Sequence, residues 1–212
     1  MSFADSGAKP QYDSANKGTL QGVIRQALTE FLKNTEDMLP ATVIAYDRVN
    51  NVASVQPSIQ MVTTDGTLIG RAAVASVPVL AIGGGGFLIN FPLVGGSRGW
   101  IKANDRDISL YLQSSATTPP NTKRFHSFSD GLFIPDVVSG FAVNGEDTEN
   151  MVIQNTAGTI RVALWADRVK VTTPNGTGQF GPDRILFTTP LFQINSANIQ
   201  FITSPHVGPL TS

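Results

Sequence analysis

The chain has 212 residues, enough for one or two ordinary domains, with 15 basic and 16 acidic residues and a net charge of −1. That balance gives no electrostatic reason to bind nucleic acid or an anionic membrane over the whole surface. There is no cysteine, which excludes disulfides and thiolate metal sites. Charged residues make up 15%, against about 25% in an average soluble domain. Gly, Pro, Thr, Ser and Asn fill the gap, a composition that favours β-structure and suggests a surface largely covered by partner chains. The N-terminus has no basic stretch followed by an apolar run, so no secretory signal is expected. The stretch from Ala72 to Ile82, interrupted by Ser76 and Pro78, is too short for a membrane span.

Residues 1–17 are polar, with Gly7 and Pro10, and are expected to form a flexible arm. Thr19 to Asn34 is expected to be a helix. Leu20, Val23, Ile24, Ala27, Leu28, Phe31 and Leu32 follow helical spacing, and Thr19 can cap the start. Its apolar stripe needs a partner, either its own domain, an oligomer axis or a neighbouring protein. From Ala41 the period changes to two. Strands are expected at Thr42–Tyr46, Asn51–Val62, Leu68–Leu80, Phe87–Phe91, Trp100–Ala103 and Ile108–Gln113, with turns at Asp47–Asn50, Thr64–Gly66, Gly83–Gly86 and Gly95-Gly96. This set suits a small OB-like Greek-key β-barrel over residues 39–118, following an arm and helix at 1–38.

Ser114–Asn121 reads as a linker stiffened by two prolines, and residues 119–149 as a linker or collar segment. Beyond it, short strands are expected at Met151–Gln154, Thr159–Leu164, Arg168–Thr173, Arg184–Thr189, Leu191–Ile194 and Ile199–Thr203. RVKVTTP, RILFTTP and IQFITSP end at Pro174, Pro190 and Pro205, a weak repeat of about 15–16 residues of the kind that stacked arrays show. A segment of this size without disulfides gains stability most readily by oligomerising. Val169, Val171, Ile185 and Phe187 would then face an axis shared with other chains.

The helix, the small barrel, the strand-repeat tail and the segment Arg124-Phe125-His126-Ser127-Phe128-Ser129-Asp130-Gly131-Leu132-Phe133-Ile134-Pro135 together resemble the central spike proteins of contractile-tailed bacteriophages. The run from Gly95 to Ile108 also looks like the final barrel hairpin of that family, with Gly96-Ser97 where a Gly-Asp pair is common. The resemblance implies a mainly β homotrimer in the virion tail baseplate. Three barrels would form a collar on the hub protein, and residues 150–212 would wind into an intertwined β-helix that pierces the host outer membrane. It implies collar roles for Arg124, His126, Ser129, Asp130 and Pro135, and a hub-facing helix through Leu20, Val23, Ile24, Ala27, Leu28 and Phe31. Many relatives bind iron at the tip through a His-x-His pair. This chain offers only His206, so three chains would supply three nitrogens and need other ligands for an octahedral ion. The chain has no room for the lysozyme domain that some relatives carry.

Other chemistry is thinly represented. His126, Ser127, Ser129 and Asp130 are hydrolase residue types, but five adjacent residues do not readily aim at one another, and no nucleophile elbow is present. The protein is expected not to be an enzyme. Asp130-Gly131 is expected to turn, and Arg124 and Asp130 to pair within or between chains. Asp105 and Asp107 form either a cation site or a charged hairpin turn. Gly83–Gly86 lacks the Lys-Ser/Thr of a phosphate loop, and Asn175-Gly176 reads as a turn. The rival functions are a carbohydrate-binding fibre or adhesin tip, and an OB-fold nucleic-acid binder. The latter needs a basic, aromatic-lined groove, whereas the expected barrel strands carry Arg71, Arg98 and Lys102 with few aromatics beside them.

Overall fold

The computed structural model describes residues 18–33, 35–63 and 65–193. The expected arm at 1–17, the strand Ile199–Thr203 and His206 lie outside them. The chain divides into two compact units, with the boundary after Ser139.

The first unit opens with helix α1, Leu20–Lys33. The Thr19 hydroxyl accepts the Gly22 N–H at 3.0 Å, satisfying one of the helix's free amides. The helix stops where Thr35 folds back, its hydroxyl donating to the Phe31 carbonyl at 2.8 Å. No residue of α1 is buried. Phe31 stacks on Phe125 with ring centroids 6.1 Å apart, which ties the C-terminal turn to the barrel.

Strands β1 (Met38–Asp47) and β2 (Val52–Pro57) form a hairpin. The Asp47 carboxylate shapes its turn by accepting the N–H groups of Val49 and Asn50. The expected long strands at 51–62 and 68–80 are each broken. Pro57 ends β2, and the chain resumes as the small hairpin β3 (Met61–Val62) and β4 (Leu68–Ile69). Gly70 follows β4, and β5 (Val74–Pro78) pairs with β2 across a bulge where Ser76 has φ +57°. The four glycines are not all turn. Gly83 and Gly84 belong to β6 (Ile82–Gly84), while Gly85 and Gly86 turn the chain into β7 (Phe87–Ile89). Their φ values of +60° and +87° suit only glycine without strain.

β8 (Arg98–Asn104) follows. The expected strand Ile108–Gln113 is instead a short helix, α2 (Ser109–Ser114). Ile108, Leu110 and Leu112 alternate as a strand would, but Asp107 accepts the Ser109 N–H at 2.9 Å and bends the chain out of the sheet. The fifth stave of the barrel is β9, Ser127–Pro135. The barrel therefore extends well past residue 118, and the middle of the segment expected to be a collar linker, Ser127–Pro135, is a barrel strand. Strand order is β5-β2-β1-β8-β9 with antiparallel neighbours. A parallel bridge from Val79 to Phe133 brings β9 back to the end of β5 and nearly closes the sheet. The core inside is Val43, Val55, Ile101 and Phe133, all fully buried, with Phe128 and small residues between. Each large apolar side chain there stabilises the barrel by about 1.5–3 kcal/mol.

The second unit starts at Gly140, ahead of the expected boundary at 150. A 3₁₀ turn at Gly145–Asp147 precedes β10 (Met151–Gln154), β11 (Arg161–Leu164), β12 (Val169–Thr173), β13 (Gly176–Phe180) and β14 (Ile185–Thr188). These pair in chain order as an antiparallel meander. Sequence reading misses β13, because Gly176, Thr177, Gly178 and Gln179 carry little strand signal. Gly176 is nevertheless required, since a Cβ there would lie 2.7 Å from the Thr188 carbonyl. The repeat at Pro174 and Pro190 falls on β12 and β14, so its period is one complete hairpin rather than one strand. The loops agree: the Trp165 N–H reaches the Arg168 carbonyl as the Gly181 N–H reaches that of Arg184. The expected strand at Leu191–Ile194 is absent at its described residues, Leu191–Gln193.

Candidate functional site

Arg124 and Asp130 do pair, within one chain. The Arg124 guanidinium donates to both Asp130 oxygens at 2.9 Å. This bidentate fork brings the loop before β9 onto the strand itself. Arg124 also reaches Asp107 at 3.3 Å. Asp107 is buried and accepts from the Ser109 N–H and, at 2.7 Å, from the Thr122 hydroxyl. These donors, Ser109 first, hold its carboxyl at about 2, and Asp130 raises the Arg124 pKa in turn. Asp130 is not at a turn: it lies inside β9, its carbonyl capped by the Asn104 amide.

The other collar residues do not join this node. Ser129 is exposed, and Pro135 sits at the far end of β9 opposite Gly99. His126 adopts φ +47° and presents Nε2 to Asp105 at 3.3 Å, while its carbonyl accepts the Glu36 N–H. The imidazole thus faces a carboxylate rather than a serine. Asp105 and Asp107 diverge, one exposed beside His126 and the other buried under Arg124. Among the described residues no group of three His, Cys, Asp or Glu is placed to hold a metal.

Unpartnered apolar surface is the larger feature of the first unit. Leu20, Val23, Ile24, Ala27, Leu28 and Phe31 all lie on the exposed surface of α1. The β6–β7 hairpin carries Ile82, Phe87, Leu88 and Ile89, with Phe87 83% exposed. A two-stranded hairpin with this surface is marginal in water by itself.

One face of the second unit's sheet is wholly apolar, and the other is mixed. Residues opposite one another in an antiparallel ladder share a face. One row across all five strands is Met151, Leu164, Val169, Phe180 and Ile185. The next row on the same face is Ile153, Val162, Val171, Gly178 and Phe187. Neither row holds a polar side chain, yet none of these residues is buried within the chain. Val169, Val171, Ile185 and Phe187 thus share one face, as the alternation predicts. The reverse face has Gln154, Arg161, Thr172, Thr177 and Thr188 in one row.

A charged cluster that sequence reading missed sits on that reverse face. Arg161 and Asp147 are 5% and 1% exposed. Arg161 Nε donates to Asp147 at 2.5 Å and another guanidinium nitrogen pairs with Glu146. Trp165 Nε1 donates to the second Asp147 oxygen at 3.1 Å, and Lys170 pairs with Glu146 at 2.8 Å. Lys170, and then Arg161, hold the Glu146 carboxyl below its ordinary range. The Arg168 guanidinium lies 4.2 Å over the Trp165 ring. The available signal was the acidic pair Glu146-Asp147 before a strand that starts with arginine.

No helix among the described residues is long and apolar enough to cross a membrane. A comparison with curated proteins finds no match. Residues 39–136 match the family model of the phage protein Gp138 N-terminal domain, a little under half of the chain. The match covers nearly all of the five-stranded barrel, β9 included, and supports a phage structural protein.

Proposed function

We propose that the chain is a structural spike at the tip of a contractile phage tail baseplate, working as a homotrimer. The observation that carries the reading is the meander's uninterrupted apolar face, two rows across five strands, none of whose residues is buried by the described part of the chain. A sheet with one such face must bury it against another layer. Three copies of the tail, each turning this face inward, would bury it around a common axis in the intertwined shaft. The strand order and parallel bridge of the first unit support the reading of its nearly closed sheet as a small Greek-key barrel of OB type, and the match to a phage protein domain supports a place in the virion.

In this scheme the barrels form the collar and the α1 stripe docks on the hub protein of the baseplate. Sheath contraction drives the shaft through the host outer membrane. The Arg124–Asp130–Asp107 node braces the loop between β8 and β9 within each chain rather than linking chains. The test is the mass of the full chain in solution by light scattering over a range of dilution. A uniform mass of three chains is expected, with a tail resistant to protease. A stable monomer with a cooperatively folded tail overturns the proposal.

A further inference from the structure

We infer that the buried Arg161–Asp147–Glu146 cluster selects which face of the meander is offered for assembly, acting as a specificity device rather than as a source of stability. The inference rests on the proposed function, in which the apolar face is the one that meets other copies.

A five-stranded sheet offers two faces to a partner. Here the reverse face is covered over β10–β12 by the chain's own residues 142–147, held by three separate ties, while Leu186 and Thr188 on β14 stay exposed. The Gln154 amide donates to the Ala142 carbonyl at 2.6 Å. Arg161 forks onto Asp147 and Glu146. Trp165 and Lys170 then occupy the remaining oxygens of the same two acids. An apolar strip laid on this face would be free to slide. A planar guanidinium engaged by two carboxylates fixes both position and direction.

Energy alone does not explain the cluster. Removing an arginine and a carboxylate from water costs about as much as their attraction returns, and apolar residues of equal volume often serve as well. What charges supply is discrimination. A second copy approaching the covered part of this face would have to displace the strip or desolvate the partly exposed Glu146–Lys170 pair. The opposite face has no charge in either row and imposes no such cost.

The test combines Arg161→Leu, Glu146→Gln and Asp147→Asn in the full chain, the last keeping an acceptor for the Trp165 N–H. The expected product is folded, with far-ultraviolet circular dichroism unchanged. The fraction of protein heavier than the wild-type oligomer should rise about tenfold, the loss of one charge-assisted contact per chain. A single mass equal to that of wild type overturns the inference. Should the triple variant not fold, Glu146→Gln alone keeps the buried pair and is expected to give a smaller rise in heavy species. An unchanged mass distribution for it refutes the idea equally. A trimeric wild type with an indifferent variant sinks only this inference, whereas a monomeric wild type sinks the proposed function with it.

Discussion

Replacing Phe187 by alanine separates a lone meander from a shared shaft. In one chain Phe187 is 47% exposed. Its ring lies over Gly178, edge-on to Phe180 at 5.9 Å and stacked on Phe192 at 5.2 Å. Full burial of such a side chain is worth about 1.5–3 kcal/mol, so the half already buried contributes roughly 1 kcal/mol. The aromatic contacts raise this to about 1–2 kcal/mol. If the apolar face is covered by other copies, truncation instead costs about 3–5 kcal/mol per chain. The difference, about 2–3 kcal/mol, occurs three times in a trimer. Dissociation into single chains should then become easier by roughly four to six orders of magnitude. Dilution monitored by light scattering reads this directly, together with the protein-concentration dependence of the denaturation midpoint. Thr177→Ala, on the reverse face, is the control and should change neither. A Phe187→Ala chain that loses only about 1–2 kcal/mol, with unchanged mass and a concentration-independent midpoint, refutes burial of this face between chains.

Three further outcomes follow from the barrel. A methyl group at Gly99 would sit 2.3 Å from the Ile134 carbonyl oxygen and 2.5 Å from the Phe133 ring. Gly99→Ala should lower barrel stability by about 1–3 kcal/mol, and Phe133→Leu should not restore it, because the carbonyl stays; rescue in a thermal-melt double-mutant cycle would contradict the geometry. The Asp107 carboxyl is depressed from 3.8 to about 2, so its contribution is complete above pH 4 and is lost as pH falls toward 2. Asp107→Asn should flatten the acid limb of stability against pH in that window, and parallel curves for variant and wild type would disprove it. Gly86→Ala, at φ +87°, should destabilise the β6–β7 hairpin by about 1–2 kcal/mol, while Gly84→Ala, with open space around its Cβ, should not; amide exchange of the hairpin distinguishes them.

Local chemistry is what the sequence disclosed well. Helical spacing and the Thr19 cap located α1 to within a residue at each end, and strict alternation located β10, β11, β12 and β14. The shared face of Val169, Val171, Ile185 and Phe187 was legible too, because period two fixes a face whatever the partner. Misreadings arose where distant groups decide the outcome. Ile108–Gln113 alternates like a strand, but an aspartate bond to Ser109 and a contact from Thr122 turn it into a helix. β9 was obscured by Asp130 and Gly131, residues poor in strands. Asp130 is tolerated because Arg124 neutralises it, and Gly131 because a Cβ there would strike the Lys102 carbonyl at 2.7 Å. A parallel closure between Val79 and Phe133 leaves no trace in local periodicity at all. Arg161 and Asp147 escaped notice for a related reason: charges are read as surface until their partners are known.

The closure of the barrel has a mechanical meaning. Four antiparallel ladders hold β5, β2, β1, β8 and β9 side by side, whereas the ring is completed by the Val79–Phe133 bridge and the Leu80 N–H donating to the Phe133 carbonyl at 2.8 Å. Such a sheet behaves as a curled ribbon fastened by a clasp, not as a hoop. Its girth can change by opening the clasp while every ladder stays intact, and tension around the circumference is relieved there first.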